Sequence, residues 1–355
     1  MIMFPITETV EDMILIVGSG FLAFAIAMAL APWFISQLRK HKIGKNIRAV
    51  ASDGKAATLF QKLHAKKAGT PTMGGILIWG TTFLVVGLSR LLSYLGVFDH
   101  SLLNRKETYL PLFTLFAVAM LGAVDDWFNI KGWGRSKGIN MKPKFLLLSL
   151  FAIIGSLWFY FKLGYSEIHV PGIGDFDIGL WYIPLFIFII NGTANAVNFT
   201  DGLDGLAGGL IIIAFGAYGV LAYFHGLLIL SALCGVIVGA SLAFLWFNIP
   251  PARFYMGDTG SAALGATLGV MAMMTDTVLI LPFIAFIFVI ETLSVIIQLT
   301  SKKLFGKKVF HIAPIHHHFE HLGWPESQVV MRFWIVGGLV ATLGLILGLI
   351  GMGNV

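Results

Sequence analysis

Cysteine is almost missing from the chain. Its one example, Cys234, sits in an apolar run, so no disulfide framework can hold the fold. Charge is scarce as well, with Asp, Glu, Lys and Arg making up 12% of the 355 residues. Soluble globular proteins carry about 25% charged residues, and a chain with half of that cannot cover its surface in water. Low-complexity tracts and stretches with the composition of a soluble domain are also absent. The opening MIMFPITETVEDM has no basic region, so no cleavable signal peptide is expected. What is left is hydrophobic: 57% of the residues, with a mean hydropathy of +0.86. Many runs approach the roughly 20 apolar residues that cross a hydrocarbon core as a helix. Backbone groups in lipid must bond within their own segment, so the spans are helices. The composition predicts an all-α polytopic membrane protein in which residues 1–355 form one membrane domain.

Hydropathy gives ten candidate spans, at 14–38, 73–95, 108–124, 145–163, 181–199, 205–224, 226–247, 260–275, 278–299 and 332–352. The eighth is short and rich in Gly and Ala, which suits close helix packing. Of the 24 Lys and Arg residues, 20 fall on one side of this layout. Nine lie in 39–72, and Lys131, Arg135, Lys137, Lys142 and Lys144 follow the third span. The positive-inside rule makes that side cytoplasmic and leaves both termini outside. The outside segment YSEIHVPGIGDFDIG (165–179) alternates and turns at Pro-Gly, so it predicts a small periplasmic β-hairpin. Glu167, Asp175 and Asp177 within it read as solvated carboxylates.

Against so apolar a background the remaining acids stand out. Asp125 and Asp126 of LGAVDDWF read as the cytoplasmic end of a helix. Neighbours on a helix point about 100° apart, so one can face a site and the other a partner. In NGTANAVNFTDGLDG (191–205), Asn195, Asn198, Asp201 and Asp204 recur at the three-to-four spacing of a helical stripe. Turn chemistry and Asx caps are the plain alternative there. Capping accounts for one Asp but not for four regularly spaced polar groups, and polar residues at membrane depth favour a functional reading. In FYMGDTGS, Asp258 precedes the eighth span and sits where a helix N-terminus attracts anions. It is an N-cap, a ligand for a cation, or both. Mg²⁺ suits the setting, because it takes one or two carboxylates plus phosphate oxygens.

HIAPIHHHFEHLGW (311–324) carries His316, His317 and His318 in a row. Zinc sites usually show more varied spacing, often with Cys. Imidazoles that donate to phosphate are the alternative. In KKAGTPTMGG (66–75), Lys67 is either a phosphate donor or an ordinary positive-inside lysine. All these groups gather at one membrane boundary. A site there can meet a soluble nucleotide sugar and a lipid-anchored phosphate together, and phosphoryl transfer relies mostly on positioning and charge neutralisation.

KxGTPTMGG, DDW, NxxNxTDGLDGLA, MGDTGS and HHHFE, in that order, resemble the MraY family of phospho-N-acetylmuramoyl-pentapeptide transferases. That family lies within the polyprenyl-phosphate N-acetylhexosamine-1-phosphate transferase superfamily. Each motif alone is weak, and five in order are specific. The motifs run from about Lys66 to His321, and the ten-span layout extends the likeness to the whole chain. The resemblance implies transfer of phospho-MurNAc-pentapeptide from UDP-MurNAc-pentapeptide to undecaprenyl phosphate, with UMP and lipid I as products and Mg²⁺ as cofactor. It implies peptidoglycan synthesis in the bacterial cytoplasmic (inner) membrane, with the site facing the cytoplasm. It also implies a homodimer and no nucleic-acid partner.

Carried over residue by residue, Asp258 resembles the metal ligand. Asp125 resembles the residue near the attacking lipid phosphate, with Asp126 as its partner. Lys67, Asn198, Asp201, Asp204, Tyr255 and Gln298 resemble the nucleotide pocket, and Tyr255 stands where the family often has Phe. Asn195, Lys144 and His316 to His318 resemble further donors around the pyrophosphate and sugar.

Two other readings stay open. HHHFE and GTPTMGG favour the muramoyl branch over relatives that use UDP-N-acetylglucosamine for teichoic acid or O-antigen. A secondary transporter would place its polar groups near the midplane, often in inverted repeats. Here they crowd one boundary and no half is repeated; Glu291, inside the ninth span, is the exception.

Overall fold

A computed structural model describes residues 6–44, 69–97, 101–133, 138–139 and 141–352. Each of the ten predicted spans is helical among them. The long helices are α1 (Ile6–Lys40), α2 (Gly75–Tyr94), α3 (Tyr109–Lys131), α4 (Met141–Leu157) and α5 (Tyr182–Thr200). They continue with α6 (Leu206–Phe224), α7 (Leu228–Asn248) and α8 (Asp258–Met274). The ninth predicted span is divided into a short α9 (Leu281–Ile284) and α10 (Phe286–Phe305). The short α11 (Ile315–His321) and the long α12 (Glu326–Met352) complete the order. Among the described residues eight helices are long and apolar enough to cross a membrane, and α8, at 17 residues, and α10 are not among them.

Small residues let these helices approach closely. α1 lies against α7, and a Cβ added at Gly239 would fall on the Gly20 carbonyl. With no hydrophobic drive between helices in lipid, such backbone contact and van der Waals packing hold them together. α8 occupies the middle, packed by α3, α5 and α2, and every residue from Thr259 to Met273 is buried. Some hydroxyls inside the helices are satisfied locally: Thr82, Thr200 and Thr267 each donate to the carbonyl four residues back.

The hairpin forms as expected, with β1 (Glu167–Val170) antiparallel to β2 (Gly174–Asp177) and Glu167 opposite Asp177. It lies at the end of α8 away from Asp258, where the His169 N–H donates to Asp276. Two of its carboxylates have partners. Asp175 lies 2.6 Å from His169 Nδ1, and Asp177 accepts the Gly179 N–H.

Two helix boundaries differ from the expectation. α3 continues past Val124 to Lys131 and stops at Gly132, in the left-handed region at φ 69°, so Asp125 and Asp126 lie within the helix. Apolar Trp127, Phe128 and Ile130 carry the helix onward. The expected polar stripe is cut short, because α5 ends at Thr200 and Asp201 leaves the helix at ψ 51°. Only Asn195 and Asn198 are helical, and Asp204 belongs to the turn that follows.

Gly239→Ala is expected to lower the thermal midpoint of the detergent-solubilised protein, since overpacking costs about 1–3 kcal/mol. Gly87→Ala, whose Cβ would meet open space, is the control. An unchanged melt for Gly239→Ala would mean that α1 is not seated on α7.

Candidate active site

The neighbouring carboxylates of α3 do point to different surroundings. Asp126, buried, accepts the backbone N–H of Asp258 (3.1 Å) on one oxygen and that of Thr259 (3.0 Å) on the other. The first N–H groups of a helix have no partner inside it, and here a carboxylate from another helix supplies one. Gly257 makes the approach possible. It has φ 72°, and a Cβ there would sit 2.6 Å from Asp126 Oδ2. The Thr259 hydroxyl donates to the Ala119 carbonyl and accepts from Trp79 Nε1, so α3 and α2 are both tied to the start of α8.

Because Asp126 meets the helix end, the Asp258 side chain is left to face inward. It pairs with the Lys144 ammonium, and Asn198 Nδ2 donates to its other oxygen at 2.8 Å. Lys144 also reaches Asp125 Oδ2 at 3.2 Å, while Asp125 Oδ1 accepts the Ile139 N–H at 2.6 Å. One ammonium thus joins acids from α3 and α8. Asn198 Nδ2 donates as well to Ser261 (2.9 Å), a residue the motif reading passed over. Ser261 stands three positions after Asp258, on the same helix face, and that spacing is the signal that could have found it.

The TDGLDG turn is held from behind. Asp204 Oδ2 accepts the Ala252 N–H, and Glu326 accepts the Asp204 N–H at 2.7 Å. Asn248 accepts the Gly205 N–H and donates to the Phe254 carbonyl. Nothing local marks Glu326 or Asn248 as part of this arrangement. On the other side, 71–75 runs beside 255–256: Tyr255 N–H donates to the Pro71 carbonyl, and Gly74 N–H to that of Tyr255. Thr-Pro-Thr-Met-Gly-Gly is therefore brought to the start of α8. Lys67 lies outside the described residues.

The three consecutive histidines part company. His316 is fully buried beside Glu291, and His317 Nδ1 lies 2.7 Å from Glu320. His318 stacks on His311; partial burial, with His311 and His321 nearby, holds its pKa below the ordinary imidazole range. His316 and His317 abut Gly202, so the histidine helix covers the turn between Asp201 and Leu203. Gln298 uses its amide on the approach to that helix, accepting from Val309 and Phe310 N–H and donating to the Phe310 carbonyl. Asn195 donates to the Asn191 carbonyl.

Comparison with known proteins gives these helices a class. Residues 109–276, from α3 to just past α8, match the model of glycosyl transferase family 4, and Asp125, Lys144, Asn198 and Asp258 all fall within the matched stretch. Residues 67–78, leading into α2, match the phospho-N-acetylmuramoyl-pentapeptide-transferase signature 1. The phospho-N-acetylmuramoyl-pentapeptide-transferase of Chloroflexus aurantiacus is 40% identical over 96% of this chain and 91% of its own. That of Geobacillus thermodenitrificans is 42% identical over 91% of this chain and 94% of its own. The chain belongs to the phospho-N-acetylmuramoyl-pentapeptide-transferase family.

Asp126→Ala is expected to destabilise the protein by about 1–2 kcal/mol, the usual cost of a lost cap. Asp125→Ala, which leaves the cap in place, should keep the thermal midpoint closer to wild type. Equal midpoints for Asp126→Ala and wild type in detergent would refute the capping role.

Proposed function

We propose that the chain moves phospho-MurNAc-pentapeptide from UDP-MurNAc-pentapeptide to undecaprenyl phosphate. UMP leaves and lipid I forms, the first membrane step of peptidoglycan synthesis. The observation that carries this reading is the meeting of Asp125, Lys144, Asn198 and Asp258 at one end of the helices, beside the TDGLDG turn. Family membership supports the substrates. The basic residues support the side: Arg39, Lys40, Lys131, Lys142 and Arg253 lie near the same helix ends as Asp258. With α8 and α10 counted as crossings there are ten, both chain ends fall outside, and the site faces the cytoplasm.

The acids fit Mg²⁺. Oxygens of Asp125 and Asp258, from two helices, already share one cation in Lys144. Asp258 is the residue that would hold the ion, since Mg²⁺ needs only one or two protein carboxylates when phosphate is present. When bound, Mg²⁺ offsets charge on the pyrophosphate and on departing UMP.

An oxygen of the lipid phosphate attacks the β-phosphorus of the UDP-sugar. The bond from that phosphorus to the bridging oxygen breaks, and UMP departs with the oxygen. Asp125 takes the remaining proton of the lipid phosphate where one is present, since that pKa is near 6 in phosphate monoesters. Lys144 and Asn198 hold Asp258 in place, and Asp126 acts through the helix it caps. Asp201 and Asp204 lie on the turn where carboxylates accept from ribose hydroxyls and the uracil N–H, and the Tyr255 ring offers a stacking face. Lys67 and Gln298 belong with that nucleotide pocket, and Asn195 and His316 to His318 with the surroundings of the pyrophosphate and sugar. Two copies of the chain form the working unit.

Detergent-solubilised protein given undecaprenyl phosphate with UDP-MurNAc-pentapeptide or UDP-N-acetylglucosamine decides the matter. UMP release is expected with the muramoyl substrate and only with lipid phosphate present. Release with UDP-N-acetylglucosamine instead, or uptake into vesicles without UMP, contradicts the proposal. Asp258→Asn should lower turnover by about 10²-fold or more. A phosphorylated enzyme trapped with UDP-sugar alone would replace direct attack with a two-step route.

A further inference from the structure

Glu291 lies in α10 with no exposed surface. A carboxylate within a membrane protein's apolar helix is costly unless it is paired. Among the described residues its carboxylate pairs with one residue. Oε2 accepts the His316 N–H at 3.5 Å and stands 3.0 Å from His316 Nδ1. The ring contact is within ion-pair reach but is not a hydrogen bond, and among the described residues Oε1 has no hydrogen-bond partner. The imidazole is equally enclosed. It is fully buried, and among the described residues its Nε2 also lacks a hydrogen-bond partner. That edge lies on Gly202: a Cβ there would overlap Nε2 and sit 2.9 Å from Cε1. α10, the histidine helix and the TDGLDG turn are thus stacked in a line, Glu291 to His316 to Gly202, with no space left for a methyl group.

We infer that Glu291 is a positioning residue: through His316 it fixes the turn that carries Asp201 and Asp204, and so sets how the nucleotide part of the substrate is held. This rests on the function proposed above, which gives that turn to the nucleotide. Glu291 itself touches neither substrate nor reacting atoms. The residue cannot stand on packing alone, because an apolar side chain of similar size would fill the same space without burying a charge. Its carboxylate is explained by the backbone and ring of one histidine, and that histidine by the glycine of one turn.

Three variants test this in the full-length protein in detergent: Glu291→Leu, Glu291→Gln and Gly202→Ala. Two readouts are taken, steady-state kinetics with UDP-MurNAc-pentapeptide and hydrogen–deuterium exchange of peptides covering 199–206. For Glu291→Leu the KM for the UDP-sugar is expected to rise ~10-fold or more, as small misplacements do, with a smaller change in kcat. Exchange should quicken in 199–206 and not in α1 or α7. Glu291→Gln keeps an oxygen for the His316 N–H and should return most of the lost affinity. Gly202→Ala reads the same contact from the other side and should raise KM likewise, which covers the case in which Glu291→Leu does not fold.

A folded Glu291→Leu, or Gly202→Ala, with wild-type KM and wild-type exchange overturns the inference, and so does Glu291→Gln as impaired as Glu291→Leu. If wild type itself fails to release UMP, the proposed function falls. The exchange of 199–206 then still decides whether Glu291 holds the turn.

Discussion

The site rests on a helix start satisfied from outside its own chain segment. A helix N-terminus enclosed by protein and lipid has N–H groups that water cannot reach, and each one left alone is expensive. Asp126 answers two of them. A cap of this kind contributes about 1–2 kcal/mol, enough to favour one register of α3 against α8. A Cβ at Gly122 would overlap the Asp258 carbonyl, so the two backbones touch at this point. Once that register is set, Asp125 is committed as well, since it is the next residue round the helix. Asp258, relieved of any duty to cap, can turn its charge to Lys144 and Asn198.

The same economy of polar groups recurs around the TDGLDG turn. Each buried amide or carboxylate there latches a loop to a helix end: Asn248 between Gly205 and Phe254, Asp204 on Ala252, Gln298 on Val309 and Phe310. An apolar chain has few such groups, and several of them are used between distant segments. Specific geometry thus arises at one end of the bundle, while the rest of the core is held by dispersion and close backbone approach.

Hydropathy made the helices legible, and alternation with a Pro-Gly turn made the hairpin legible, because both signals are local. The adjacency of Asp125 and Asp126 on a helix correctly implied separate tasks. What each task is could not be read, because the partners of Asp126 lie more than 130 residues away. The end of α3 was misplaced because DDWFN looks like a boundary to water, whereas the fold buries Asp125, Asp126 and Asn129 of that stretch. The run of acids and amides from Asn195 to Asp204 suggested one face, and the chain instead leaves the helix at Asp201. Three identical histidines carry no hint that they face Glu291, Glu320 and His311 respectively. Glu291 was visible as an oddity, and its partner only in three dimensions.

The burial of α8 from Thr259 to Met273 bears on how such a segment can change over time. A helix wrapped on all sides by other helices never touches the acyl chains, so nothing selects it for oiliness. Its sequence is answerable instead to the girth of its neighbours. Substitutions that make it greasier but bulkier are therefore the ones this position should tolerate least, the reverse of what holds for the lipid-facing helices around it.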